Sequence, residues 1–370
     1  MAQKEMRALG TAPHHAHEPF MQQALDAALQ GHRGANPLVG AVLTDSRGAV
    51  LSVGHHRGAG SLHAERDCIA RAQSSGISDF SGTTLYSTLE PCRNYGRTPA
   101  CTQLIHEVGI GQLVYGAKDP TANTGGADIL TEAGVSVVAG VMAADAEALN
   151  HRWTAAQKQG RPFVTVHLAQ SLDARIAAAD GTSQWITGPE SRTHTHTIRQ
   201  RIDAILVGTN TAQVDDPRLT ARTPDGELAE TQPLRCVMGR RELAPGAKLT
   251  QGRPEGDGWA QLRTRDPFEA LLTLASAQHN GFPVRHVLVE GGQSVLSAFV
   301  AADLVDEIFA YVAPVLIGTG QDGSARNTLG SIGVETLTDA PRYGLDPADG
   351  GPVTVMGDDV CLHLTPKGAQ

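Results

Sequence analysis

Short runs of β-branched and aliphatic residues alternate with helix-length stretches along the whole chain, and that rhythm demands a sheet covered by helices. In the first part, strand-like runs at Leu38–Leu43, Thr84–Leu89, Leu113–Tyr115 and Val135–Val138 are separated by helix candidates at Pro19–Gln30, His63–Gln73, Cys101–Val108 and Ala127–Ala133. The rhythm resumes with strand candidates at Phe163–Leu168, Ala204–Val207, Val287–Val289 and Glu307–Val312. Helix candidates there are Ser191–Arg201, Pro267–His279 and Gln293–Ala301. The fold class is therefore α/β. A chain of 370 residues exceeds one ordinary domain, roughly 100–200 residues. The break falls in a polar, Ala-rich stretch, Ala143–Gln159, read as one helix and stopped by Gly160-Arg161-Pro162. The expected domains are 1–150 and 151–370. Arg222–Pro233 and Gln251–Pro267 read as loops inserted in the second.

Composition removes several function classes. Hydrophobic residues are 41 % and charged residues 19 %, which excludes disordered and low-complexity chains. The net charge is −9, so no overall basic field awaits a nucleic-acid backbone. No apolar run approaches the ~20 residues of a membrane span, and the first twenty residues lack the apolar core of a secretory leader. Five widely spread cysteines do not resemble a disulfide framework. A cytoplasmic enzyme acting on a small molecule is expected, with neither membrane nor nucleic acid as partner.

The sharpest local pattern is His63-Ala64-Glu65, then Pro91-Cys92, then Cys101. One imidazole and two thiolates make three zinc ligands and leave a fourth position for water. Zinc supplies a hydroxide near neutral pH, and a nearby carboxylate must carry the proton to a leaving amine. Glu65, two residues after His63, is the expected proton carrier. This is the H-x-E…P-C…C pattern of zinc nucleobase deaminases, which hydrolyse a C–NH₂ bond. A lone His or Cys is usually a core residue, and a structural zinc site is usually closed by a fourth protein ligand. The combination here favours a catalytic metal, with Cys68 as a spare, core-facing thiol. Eight residues separate Cys92 from Cys101 instead of two, and that insertion brings Arg97 beside the metal, where it can meet a phosphate.

The strings NPLVGAVL (Asn36–Leu43), HRGAGSLHAE (His56–Glu65) and EPCRNYGRTPAC (Glu90–Cys101) resemble the deaminase domain of the bifunctional riboflavin-biosynthesis deaminase–reductase family. Asn94 and Ala100 stand where the family commonly has His and Pro. The resemblance continues through GRPFVTVHLAQSLDARIA (Gly160–Ala177), SQWIT (Ser183–Thr187), AILVGTNTAQVDDPRLTAR (Ala204–Arg222) and VEGG (Val289–Gly292). It implies a cytidine-deaminase-like zinc domain followed by a dihydrofolate-reductase-like domain that binds NADPH without a G-x-G-x-x-G turn. No such turn follows a strand here. The family's S-L-D-G is Ser171-Leu172-Asp173-Ala174.

From the residues alone, the paired glycines after Val289 suit a diphosphate at a helix N-terminus. Arg199 and Arg222 suit bidentate contacts to a phosphate. Each taken singly is as well explained by a turn or a solvated helix face. By resemblance, Ala169, Trp185, Thr211, Asp215 and the run Gly292, Gln293, Ser294, Val295, Leu296, Ser297 and Ala298 contact NADPH. Asn36, His56 and Arg97 then contact substrate in the first domain, and Ser183, Arg199, Leu219, Arg222 and Glu290 in the second. The implied chemistry is hydrolysis of the 2-amino group of 2,5-diamino-6-ribosylamino-4(3H)-pyrimidinone 5′-phosphate, then reduction of its ribosyl group to ribityl. A homo-oligomer, dimer or tetramer, is expected. The alternatives are a zinc deaminase of another nucleotide with an inactive second domain, and a zinc-stabilised nucleic-acid-binding protein. The net charge and the want of basic, aromatic-interleaved stretches weigh against the second.

Overall fold

The computed structural model describes all residues except 1–13, 32–35, 59, 94–98, 252–257, 323, 325, 348–349 and 368–370. The chain divides into two compact units, Met1–Thr154 and Ala155–Gln370.

The first unit runs α1 (Glu18–Ala28), β1 (Gly40–Thr44), β2 (Val50–His55), α2 (Ala64–Ser74), β3 (Thr84–Leu89), α3 (Cys101–Val108), β4 (Gln112–Ala117), α4 (Gly126–Glu132), β5 (Ser136–Ala139) and α5 (Ala143–Leu149). Its sheet has the order β2-β1-β3-β4-β5. Strand β1 is antiparallel to both neighbours, while β3, β4 and β5 are parallel. Strands β1, β3 and β4 read as near-continuous apolar runs because almost every residue in them is buried. Helix α1 buries Met21, Ala24, Leu25 and Ala28, an i, i+3, i+4, i+7 stripe, together with Ala27 beside it. Helix α2 lies against β2, where a Cβ on Gly54 would stand 2.4 Å from the Cys68 backbone nitrogen. The bare glycine permits that close approach and seats the helix whose N-cap is His63.

Ala143–Gln159 is two helices, not one: α5 stops at Leu149 and α6 spans His151–Gln159. Asn150 causes the break. Its buried side chain accepts from Leu38 N and donates to Leu38 O, both at 2.8 Å, so it closes against another segment's backbone.

The second unit contains β6 (Phe163–Ser171), β7 (Arg175–Ala177), α7 (Pro189–Arg199), β8 (Ala204–Gly208), α8 (Thr209–Val214), β9 (Leu234–Met238), β10 (Trp259–Leu262) and α9 (Pro267–Ser276). There follow β11 (Gln278–His279), β12 (Phe282–Pro283), β13 (His286–Val289), α10 (Gln293–Ala301), β14 (Glu307–Ala313), β15 (Arg326–Asn327), β16 (Tyr343–Leu345), β17 (Val353–Met356) and β18 (Asp359–Pro366). Its main sheet has the order β10-β9-β8-β13-β6-β14-β18-β16, with β17 also on β18. From β10 to β14 all neighbours are parallel. Apolar clusters fill both faces. The stretch expected as a loop at Gln251–Pro267 contains β10, which pairs with β9 through Trp259–Leu262.

Candidate active sites

In the first unit three elements converge at the carboxyl end of β3. His63 is the N-cap of α2, Cys92 lies just beyond β3, and Cys101 is the first residue of α3. Their ligand atoms all lie within 4.8 Å of one another. His63 Nδ1 stands 3.6 Å from Cys92 Sγ and 3.4 Å from Cys101 Sγ. Cys101 N donates to Cys92 Sγ at 3.4 Å, so the start of α3 is aimed at this sulfur. The Cys101 thiol and His63 hydrogen-bond to Cys92 and hold its pKa down at about 4. The Cys92 hydrogen bond raises His63. A soft, compact donor set with a thiolate already stabilised fits zinc. Glu65 sits beside it in the first turn of α2, only 4 % exposed, and burial raises its carboxyl pKa. A raised carboxyl is what a group that must hold and then return a proton needs.

Asn36 and His56 lie next to this cluster. His56 Nδ1 donates to Leu62 O at 2.9 Å, which leaves Nε2 to accept from Asn36 Nδ2 at 3.0 Å. The His56 ring meets His63 edge to face, with centroids 5.7 Å apart. Burial lowers the His56 pKa and favours the neutral ring. Arg97 and Asn94 lie outside the described residues. Glu90, not singled out in the sequence, is buried and accepts from Asp119 N, Thr124 Oγ1, Gly125 N and Ala127 N. It fastens the loop after β4 to the residue preceding Pro91-Cys92. Cys68 is fully buried in the core, as expected of the spare thiol.

In the second unit a cleft of about 750 Å³ opens at the carboxyl ends of β6, β8 and β13, where ligands bind in open α/β sheets. Ala169, Trp185, Thr211, Asp215, Gly292 and Leu296 line it, and so do Ser183, Arg199, Leu219, Arg222 and Glu290. Gln293, Ser294, Val295, Ser297 and Ala298 do not. Ser297 is buried and accepts from Gly330 N at 2.8 Å, and Gln293 donates to Leu329 O. Val295 lies beneath Gly291 and Gly208. Gly292 caps α10, and its N–H donates to Thr211 Oγ1 at 3.1 Å.

Arg199 is already engaged. Its Nε and Nη2 fork onto the two oxygens of Glu290 at 2.8 and 2.5 Å, and Nη1 donates to Thr220 O at 3.0 Å. Burial opposes both charges, but the pairing prevails: Glu290 lies below its usual range and Arg199 above. Arg222 spends Nη1 on the exposed Gly226 carbonyl. Leu219 is 3 % exposed with φ +54°, a strained value for a branched side chain at the cleft wall. Ala174, where the family has glycine, has φ +58°. The cleft also brings in His167, His196 and Lys248, which the sequence reading passed over. His196 stands three residues before Arg199, one helical turn away, so the register of α7 pointed to it.

Two family models match the chain. Residues 14–117 match the cytidine and deoxycytidylate deaminase zinc-binding region, and residues 162–336 match the RibD C-terminal domain. The riboflavin biosynthesis protein RibD of Mycobacterium tuberculosis (strain ATCC 25618 / H37Rv) is 38 % identical over 341 residues, covering 92 % of this chain and 94 % of its own. This chain belongs to the RibD family. RibD of Escherichia coli (strain K12) is 32 % identical over 379 residues, with 94 % and 98 % covered. Among solved structures, form 2 of Acinetobacter baumannii RibD is 30 % identical with a TM-score of 0.81, covering 96 % of this chain and 99 % of that one. The chain is thus a zinc deaminase joined to a reductase of riboflavin biosynthesis, and the α/β expectation of a cytidine-deaminase-like unit before a reductase unit holds. No helix among the described residues is long and apolar enough to cross a membrane.

Proposed function

We propose that residues 1–150 hydrolyse the 2-amino group of 2,5-diamino-6-ribosylamino-4(3H)-pyrimidinone 5′-phosphate, and that residues 151–370 reduce the ribosyl group with NADPH. The convergence of His63, Cys92 and Cys101 beside buried Glu65 carries this reading. His63, Cys92 and Cys101 hold the zinc, which when bound supplies a hydroxide source near neutral pH. Glu65 takes the proton of the attacking water and returns it to the departing ammonia. Asn36 and His56, locked to each other, orient the pyrimidinone, and Arg97 meets its phosphate. In the cleft, the N-terminus of α10 at Gly292 faces the NADPH diphosphate, and Ala169, Trp185, Thr211 and Asp215 border the cofactor. The Arg199–Glu290 fork fixes the wall against which Ser183 and Leu219 orient the ribosyl chain, while Arg222 receives the phosphate. We assign the enzyme to the cytoplasm and expect a homo-oligomer.

Incubating the purified protein with the diaminopyrimidine nucleotide, with and without NADPH, and weighing the products tests this. Loss of one amino group without NADPH, and a further gain of two hydrogens with it, is the expected result. Deamination with no reduction would make the second unit inactive. Cys101→Ala is expected to lose zinc and deamination while reducing supplied deaminated substrate. Full zinc occupancy in that variant would overturn the ligand assignment.

A further inference from the structure

Two bodies must meet to make the metal cluster. One is the start of α2, which carries His63 and Glu65. The other is the couple of Cys92 and the start of α3: Cys101 N donates to Cys92 Sγ, and Thr102 donates to Cys92 O from both N and Oγ1. Cys92 and Cys101 are thereby fastened to each other, but not to His63, except through the ligand atoms themselves. Besides Glu65, whose carboxyl hydrogen-bonds to Cys101 itself, one described side chain of α2 spans the gap. Arg66, next to Glu65 on α2, donates from Nε to Pro99 O at 3.0 Å and from Nη2 to Ala100 O at 3.0 Å. These are the two carbonyls immediately before Cys101. The Ala100 carbonyl has only a long 3.5 Å bond from Leu104 N within α3, and a planar fork matches two successive carbonyls as an ammonium cannot.

We propose that Arg66 is a positioning residue of the deaminase site: its guanidinium sets the distance between His63 and the Cys92–Cys101 couple, and so pre-forms the zinc site. The inference rests on the ligand reading above. Among the described residues, Arg66 is the one side chain of α2 outside His63 and Glu65 that hydrogen-bonds to the segment bearing Cys101. Ligand sets held by such outer contacts bind metal more tightly, commonly by about 10–100-fold. Arg66 acts through the cysteines and touches no reacting atom.

The test measures zinc affinity of the full chain by competition with a chromophoric chelator, together with the thiolate-to-cobalt charge-transfer band of the cobalt-substituted protein. Arg66→Met is expected to weaken zinc roughly 10–100-fold and to lower the cobalt band per ion as Cys101 loosens. Arg66→Lys, which keeps the charge but grips one carbonyl at a time, restores part of both. A merely structural role would lower the thermal midpoint without changing the cobalt band. Arg66→Met binding zinc as tightly as the parent, with the parent's cobalt spectrum, overturns the proposal. If Arg66→Met fails to fold, Arg66→Lys decides: weaker zinc binding supports the proposal and parental binding sinks it. A parent chain that binds no zinc, or Cys101→Ala that binds it fully, condemns the ligand reading instead.

Discussion

The two sites are built on opposite plans. The metal cluster concentrates three ligand side chains at the end of one strand, with the buried Glu65 beside them. The cleft of the second unit spreads its lining over many side chains drawn from strand ends and helix starts. Its strongest internal contact, Arg199 with Glu290, is between protein groups. A concentrated site should fail completely at one atom, whereas a distributed one should fail by degrees or through its scaffold.

Glu65→Gln gives the largest effect. A buried amide can neither take up a proton nor return it, a step worth about 10²–10⁴-fold. Deamination falls by that factor while zinc content and reduction of supplied deaminated substrate stay at parental levels. Retention of a tenth of the activity would hand the proton to another residue and blur the contrast.

Arg199→Ala tests the scaffold of the distributed site. Both partners are nearly buried, with side chains 16 % and 10 % exposed. Truncation strands the Glu290 carboxylate, which for a buried pair costs about 3–5 kcal/mol of stability. The reductase therefore inactivates at lower temperature and lower denaturant, with deamination by the first unit retained. A parental urea midpoint for the reductase, with only its KM raised, would show that Arg199 serves the ligand and not the fold.

Arg222→Ala is the milder counterpart, because among the described residues this side chain donates only to an exposed carbonyl. Losing one charge-assisted phosphate contact costs about 1.5–3 kcal/mol, so KM for the nucleotide rises roughly 10–150-fold. Stability and NADPH binding are expected to hold. A variant with unchanged KM removes Arg222 from the phosphate.

The same difference in plan decided what could be read in the chain. His63, Cys92 and Cys101 are uncommon residue types at a telling spacing around Glu65, and the structure gathers the three with Glu65 buried beside them. Strands such as Thr84–Leu89 were legible to the residue because burial on both faces leaves an unbroken apolar run. Strand β10 was hidden because Trp259 is exposed and Gly/Pro-rich sequence precedes it. The break at Asn150 depends on Leu38, 112 positions away, and no local pattern announces a partner at that distance. The fork of Arg199 on Glu290 joins α7 to the end of β13 across 91 positions, so an arginine that looked free for phosphate proved to be paired.

His196 yields the smallest expected effect, and it concerns pH. The ring lines the cleft in the helix that carries Arg199. Burial first, then the Arg199 and Arg222 guanidiniums, push its pKa down to about 4 from 6.5, against the opposing pull of Glu290 and the Thr220 carbonyl. In the unfolded chain the same imidazole titrates near its ordinary value, so as acid is added the unfolded state binds the proton first. Its contribution to stability is complete above pH 6.5 and is lost as the pH falls from 6.5 through about 4. Because the ring is only half-buried, solvent screening reduces that contribution well below what full burial would give. Glutamine cannot titrate, so His196→Gln should lose less reductase stability than the parent between pH 7 and pH 5. Residual reductase activity after heating at each pH reads this directly. Parallel curves for parent and variant would mean that the neutral histidine is not what sensitises the cleft to acid. The acid response would then belong to the Arg199–Glu290 pair, with Glu290 protonating as the fork opens.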